Sequence, residues 1–443
     1  MKKILVLDVY KNVDYRISKD TSGGYGTGND FGNSFVSKIL KKKMKSMSDW
    51  PPLFAAYTHS VLRKKNQVVY KSITRFSEIE NNLDYDFFII VSSIVCCDKE
   101  SEIIKKLKKI GKNCITIGPY ATNQEKFYIH AGSSVIKGEP EIFFYYNNVE
   151  DITEIKSYST NQSLDLDKLP YPKWNEILDF NKIKLYGNYK SLPILGTRGC
   201  PYSCFKYCVY PLQQGRKVRQ RSVDKIIEEI KYWKENFNIK LFVFRDPVFS
   251  INRKHTLELC DLLIKDNIKI KFVIETHLRI LDDELLNKLK SAGLIYVKVG
   301  VESVDTNLLK SENRYTIEND KQIRIIKKIE KLGINVSAMY ILGYPNDDLD
   351  SIKRTIDYSI SLNTSYAQFS MYTPYPGTPV FNEFKNSLLT KDFSKFNQYQ
   401  LVFKHKNFTE KQLKDLMDLA YTKYYFRFEW LTKYGFKKII NVE

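Results

Sequence analysis

Gly196-Thr197-Arg198-Gly199-Cys200-Pro201-Tyr202-Ser203-Cys204-Phe205-Lys206-Tyr207-Cys208-Val209-Tyr210-Pro211 places three cysteines within nine residues. Three thiolates converging from one short loop can hold three corners of an iron–sulfur cube, for which four cysteines are the ordinary set. With three, one iron has no protein ligand and is open to a small molecule, as the fourth position of a catalytic zinc is. The plainer reading is three free cysteines packed as small apolar residues. A structural zinc would need a fourth ligand, and the histidines His255 and His277 stand far downstream. Gly199 and Pro201 make the segment a loop. Arg198 and Lys206 are expected to set positive charge beside the sulfurs, which favours thiolate. The spacing therefore favours a metal or cluster site.

Strand and helix signals alternate on both sides of this loop. Downstream, strands are expected at Pro193–Gly196, Lys240–Phe244, Lys269–Ile274, Ile295–Val299, Asn335–Leu342 and Tyr366–Met371. Helices are expected between them at Val223–Asn236, Thr256–Lys265, Asp283–Ala292, Asn319–Leu332 and Leu349–Leu362. Six strands with intervening helices predict a partial (β/α)6 barrel of TIM type, whose active site lies at the carboxyl ends of the strands. The cysteine loop follows the first of them. Upstream, Lys3–Val9, Phe87–Val95, Cys114–Ile117 and Val135-Ile136 read as buried strands, with helices at Trp50–Lys65 and Glu102–Ile110. That pattern predicts a doubly wound parallel sheet. The expected division is residues 1–150 for this first domain, 151–190 for a polar connector, 191–384 for the barrel and 385–443 for a helical cap. In the cap, Lys411–Lys433 offers Leu413, Leu416, Leu419 and Tyr421 for packing.

At 443 residues the chain exceeds what one core usually serves. Lysine and arginine total 70 against 51 acidic residues, a net charge of +19. The excess lysine is spread along the chain among Ile and Asn, which reads as solvated faces more than as a nucleic-acid footprint. Cys96, Cys97, Cys114 and Cys260 show no disulfide framework, and a reducing cytoplasm is expected. No secretory signal follows Met1. The longest apolar run, Phe87–Cys97, is too short to span a bilayer.

The cysteine run closely resembles the cluster loop of radical S-adenosylmethionine (radical SAM) enzymes, and the domain order looks like the subgroup with an amino-terminal cobalamin-binding-like domain. Five later segments agree, each at a strand end: Phe244-Arg245-Asp246-Pro247, Glu275-Thr276-His277, Gly300-Val301-Glu302-Ser303, Leu342-Gly343-Tyr344-Pro345 and Tyr375-Pro376-Gly377-Thr378-Pro379. The resemblance implies a [4Fe–4S] cluster held by Cys200, Cys204 and Cys208. The amino and carboxylate groups of SAM would chelate the open iron, and reductive cleavage would give methionine and a 5′-deoxyadenosyl radical that abstracts hydrogen from carbon. It implies SAM contacts from Tyr207, Asp246, Glu275, Glu302, Ser303 and Gly343, with Tyr207 near adenine. An electron donor such as flavodoxin or ferredoxin is implied as well. Two departures stand out. The family spaces its cysteines by three and then two residues, whereas here both gaps are three. The cobalt-ligating pattern Asp-x-His-x-x-Gly is absent, since Asp8 is followed by Val9 and Tyr10, which leaves cobalamin to bind without a protein histidine. The run Gly23–Gly28 is a candidate for close approach to a cofactor tail, although it lacks the lysine of a P-loop.

The leading expectation is a cobalamin-dependent methyltransferase or a related C–H functionalising enzyme. Its substrate is left open among small molecules, lipids, glycans and peptides. One alternative is a methylthiotransferase acting on RNA or protein, which needs a second cluster that Cys96, Cys97 and Cys114 match poorly. Another is a non-catalytic iron–sulfur or nucleic-acid-binding protein, which has no use for ordered strand-end motifs.

Overall fold

The computed structural model describes residues 1–11, 17–28, 30–45, 50–152, 155–160, 162–180, 183 and 189–435. The first sheet is formed by β1 (Lys3–Val9), β2 (Gln67–Ile73), β3 (Phe87–Val91), β4 (Asn113–Ile117), β5 (Ser134–Lys137) and β6 (Ser157–Ser159). The order is β2-β1-β3-β4-β5-β6, all parallel. The strand β3 is wholly buried and reads Phe-Phe-Ile-Ile-Val, as expected for a sheet covered on both faces. It stops at Val91 rather than Val95, because Ser92 and Ser93 turn the chain into the helix Cys97–Lys109. The helix expected from Trp50 covers Leu53–Leu62, since Pro51 and Pro52 supply its start and no earlier turn. β2 escaped the sequence reading because it is an edge strand with an exposed face and no apolar run. Within the expected connector, β6 pairs with β5 and Trp174 is fully buried; residues 184–188 of that stretch lie outside the described residues.

The second sheet is built from β7 (Ser191–Ile194), β8 (Leu241–Phe244), β9 (Lys271–Thr276), β10 (Leu294–Glu302), β11 (Asn335–Leu342) and β12 (Tyr366–Met371), paired in chain order and all parallel. Helices Val223–Phe237, Arg253–Lys265, Asp283–Ser291, Asn319–Lys331 and Leu349–Leu362 return the chain between strands. This is the open, six-stranded barrel that the alternation predicts. Its capped helices follow local chemistry: Ser222, Asn252, Asp282 and Asp348 each accept a backbone N–H of the first turn.

The carboxyl-terminal helix Glu410–Tyr425 docks along β12, with the hydroxyls of Tyr421 and Tyr425 donating to the carbonyls of Phe369 and Ala367. Leu413, Leu416 and Tyr421 are buried as expected, whereas Leu419 is exposed. The helix ends at Tyr425, short of the expected Lys433. Among the described residues, no helix is long and apolar enough to cross a membrane.

The carboxyl ends of the two sheets face each other. The backbone of Gly23–Gly28 lies between them, and its glycines permit close approach within the protein. A Cβ on Gly23 would sit 2.9 Å from the backbone of Tyr210, and one on Gly24 would sit 2.6 Å from Pro119. Tyr25 is buried there between Tyr120 and Tyr375, and its hydroxyl donates to the carbonyl of Pro376.

Candidate active site

The cysteine loop springs from a two-residue antiparallel pairing just beyond β7, Thr197-Arg198 with Arg219-Gln220. Gly199 is required where it enters: φ is +87°, and a Cβ would lie 2.1 Å from the carbonyl oxygen of Lys217. The segment Ser203–Lys206 makes a turn of 3₁₀ helix, and the N–H of Cys208 donates to the carbonyl of Cys204 at 3.0 Å. Four-residue spacing on a helical turn keeps two side chains on one face. The Cys204 and Cys208 thiols are close neighbours. That contact holds Cys204 down at about 7 and pushes Cys208 up, while burial raises Cys200. Among the described residues, no three Cys, His, Asp or Glu side chains surround a single ion position. A cubane does not require that, because each cysteine holds its own iron. The three thiols fit a cluster.

The cations beside these sulfurs differ from those expected. Arg198 turns away and pairs with Glu139 and Glu141 of the first domain. Lys206 reaches Glu312 at 3.2 Å and Glu383 at 3.9 Å. The charges near the sulfurs are Arg314, which lowers Cys204, and Arg216, which lowers Cys200. Neither was singled out from sequence. Arg314 lies beyond β10, outside any strand-end motif.

Around the mouth, the residues expected at SAM divide into two groups. Tyr207 and Glu302 lie close to Cys204, and Glu275 lies close to Glu302. The ring of Tyr207 packs against Tyr344 at 6.0 Å and Tyr372 at 5.8 Å. Glu302 pairs with Arg314 at 3.1 Å, and Arg314 also donates to the carbonyl of Gly300 at 2.7 Å. Glu302 has φ of +68°, unusual for a residue with a side chain. It ends β10 at a register shift against β11 between Gly300 and Glu302, a bulge of the kind that re-aims side chains near active sites. Burial raises the Glu302 carboxyl and Arg314 opposes the rise. Glu275 stands 4.0 Å from Arg245.

Asp246, Ser303 and Gly343 have partners within the protein. Asp246 Oδ1 accepts the N–H of Gly196 at 2.7 Å and of Thr197 at 3.1 Å, so it anchors the backbone that leads to the cysteines. Burial pushes its carboxyl up to about 7. The Ser303 hydroxyl lies 3.1 Å from Thr355 and accepts the N–H of Asp305. Gly343, with φ of +76°, lets Leu413 of the carboxyl-terminal helix lie where a Cβ would be 2.9 Å away.

Orphaned polar atoms mark room for a ligand. Thr276 Oγ1, at the end of β9, is buried without a partner, and the hydroxyls of Tyr207 and Tyr344 lie buried against each other. Buried polar groups normally find partners, and such groups fit a polar molecule like SAM beside the thiols. Between the two sheets lies a small cavity of about 40 Å³ whose wall includes Asp20, Glu139, Glu141, Arg198, Tyr210 and Arg245. Glu141 Oε2 and Gln213 Nε2 at that wall are unpartnered. The switch point between β1 and β3, where such sheets usually bind ligands, is filled by Lys19. Its ammonium pairs with Asp8 at 2.9 Å and Glu100 at 3.0 Å and donates to the carbonyl of Val91 at 3.0 Å. Tyr10, two residues after Asp8, donates to that carboxylate.

Residues 194–359 match the radical SAM superfamily. That segment is a radical SAM domain, and the chain is an enzyme whose cofactors are a [4Fe–4S] cluster and SAM. It is 26% identical over 415 residues to an uncharacterized methyltransferase of Pyrococcus horikoshii, covering 86% of this chain and 89% of that protein. It is 27% identical over 380 residues to bacteriochlorophyllide d C-8(2)-methyltransferase of Chlorobaculum tepidum, covering 81% of this chain and 82% of that protein. Its fold matches the radical SAM methyltransferase TsrM of Kitasatospora setae, solved with cobalamin and a [4Fe–4S] cluster bound. The TM-score is 0.62 at 14% identity, covering 87% of this chain and 78% of that one.

Proposed function

We propose that this enzyme methylates a carbon of a small molecule, with cobalamin as the methyl carrier and a flavodoxin or ferredoxin as the electron donor in the cytoplasm. The observation that carries the reading is the cavity between the two sheets, which opens beside Tyr210, two residues from Cys208. Its polar, charged wall favours a hydrophilic ligand over a lipid. Bound cobalamin would supply the methyl group, while Arg314, Glu302 and Tyr207 orient what binds beside the cluster and the facing sheets exclude water. The Asp8 carboxylate is held by Tyr10, Tyr70 and Lys19, and among the described residues no histidine pairs with it. Two relatives that carry methyltransferase names over most of their length support the same reading.

A second cluster, which a methylthiotransferase would need, finds no support. Cys96, Cys97 and Cys114 are packed in the hydrophobic core of the first domain, and burial pushes the Cys96 and Cys114 thiols up to about 12. The test is anaerobic reconstitution with iron, sulfide and cobalamin, followed by reduction with SAM present. Formation of 5′-deoxyadenosine and methionine, one cubane per chain and bound cobalt are expected, with Cys204→Ser losing the cluster. Cobalt-free protein that still cleaves SAM would overturn the methyl-transfer reading alone.

A further inference from the structure

The first domain reaches into the cluster loop through one residue. Glu139 lies on the turn after β5, in Lys137-Gly138-Glu139-Pro140. Its Oε1 accepts from Nη1 of Arg198, and its Oε2 accepts from Nη1 of Arg219 at 2.6 Å. Arg198 and Arg219 are register partners in the two-residue pairing that closes the neck of the cysteine loop. One carboxylate from the other domain therefore staples both strands of that neck. Glu141 adds a second contact to Arg198 at 2.6 Å. Arg198 is 3% exposed and Glu141 1% exposed, so these pairs are shielded from solvent and held in fixed geometry. The ring of Tyr57 lies 5.1 Å from the Arg198 guanidinium and closes its remaining face.

The neck is short, and its other ties are local: Asp246 accepts the N–H groups of Gly196 and Thr197, and Gln214 Oε1 accepts the N–H of Gly199. The pairing spans two residues per strand, far below the length of a self-sufficient hairpin. Beyond it, the backbone bond from Cys200 to the carbonyl of Gly215 and the contact of Arg216 with the carbonyl of Pro201 tie the two limbs. Arg219 also donates to the carbonyl of Gln214, so it links Glu139 to the returning limb directly.

We propose that Glu139 is a positioning residue for the iron–sulfur loop, by which the amino-terminal domain sets the placement of Cys200 relative to Cys204 and Cys208. It acts on the loop through Arg198 and Arg219, and its carboxylate also lines the cavity between the sheets. The proposal rests on the cluster assignment and not on methyl transfer, so the two can fail separately. It also gives the amino-terminal domain a role in SAM cleavage whether or not that domain holds cobalamin.

The test compares Glu139→Gln, Glu139→Asp and Arg219→Gln with the unsubstituted full-length protein, each reconstituted anaerobically. Fold is checked by circular dichroism, cluster loading by iron content, and geometry by electron paramagnetic resonance of the reduced cluster with and without SAM. For Glu139→Gln, native dichroism and full iron are expected with an altered or heterogeneous SAM-induced spectrum. Iron loss to a chelator should be about tenfold faster, the scale of one charge-assisted hydrogen bond. Glu139→Asp should recover part of the spectrum, and Arg219→Gln should shift it in the same sense. If Glu139→Gln does not fold, Arg219→Gln decides alone, since Arg219 is the more exposed partner. A SAM-induced spectrum in either folded Gln variant that is identical to the unsubstituted protein would overturn the proposal.

Discussion

Asp246→Asn isolates what a buried carboxylate does at the root of the cluster loop. Asp246 is 1% exposed, and burial raises its carboxyl from an ordinary value near 3.8 to about 7. A group whose pKa is raised on folding stabilises the protein most when both states are protonated. That contribution is lost as pH rises from about 4 through about 7. A shift of about three units corresponds to roughly 4 kcal/mol. Asparagine keeps an oxygen for the N–H groups of Gly196 and Thr197 and never ionises. Denaturant midpoints of the apo, reduced protein should then show Asp246→Asn less stable than, or equal to, the unsubstituted protein at pH 5. At pH 8 it should be more stable by several kcal/mol relative to the pH 5 difference. Asp347, raised to about 6, titrates in the same window, but it is common to both proteins and cancels in the comparison. An Asn effect that is the same at both pH values would refute the argument that burial, and not a bound cation, governs this carboxyl.

Two further substitutions test the frame around the site. Gly343→Ala places a methyl 2.9 Å from Leu413 at φ of +76°. Left-handed strain and overpacking together should cost about 2–4 kcal/mol in thermal unfolding, and Leu413→Ala in the same chain should relieve the part due to collision. Lys19→Met leaves Asp8 and Glu100 buried without their cation. Removing one partner from such a group costs about 3–5 kcal/mol. The loss should shrink from pH 8 to pH 5 as stranded Glu100, whose carboxyl burial already raises, takes up a proton, and a pH-independent loss would contradict the pairing.

The parts of this protein that were legible in its sequence are those whose chemistry is local. The strands β3 and β4 are short, mostly apolar runs with turn residues beside them, and β12 alternates buried with half-buried side chains. The cysteine loop identifies itself because the ligands come from one segment. What was not legible depends on residues far apart in the chain. Arg198 stands two residues from Cys200, which suggested a charge for the sulfurs, yet its partners lie 59 and 57 positions away and turn it to the other domain. Ser303 and Gly343 sit in family-like motifs but have structural partners, Thr355 and Leu413, on helices that arrive later. Arg314 follows β10 by a dozen residues and only the folded chain brings it to Cys204.

The second three-residue gap between cysteines, the departure that most threatened the cluster reading, has a geometric answer. The N–H of Cys208 donates to the carbonyl of Cys204 at 3.0 Å, so the longer step closes as a single turn that brings Cys208 back beside Cys204. The gap holds Phe205, which packs under Arg216 at 5.5 Å, and Lys206, which reaches Glu312. Glu312 is itself held by the hydroxyl of Tyr372, at the end of β12. The longer gap thus carries a tether from the cluster loop to the far edge of the open barrel. With Glu139 at the neck and Lys206 at the tip, the loop is fixed at both ends by residues that belong to other parts of the fold.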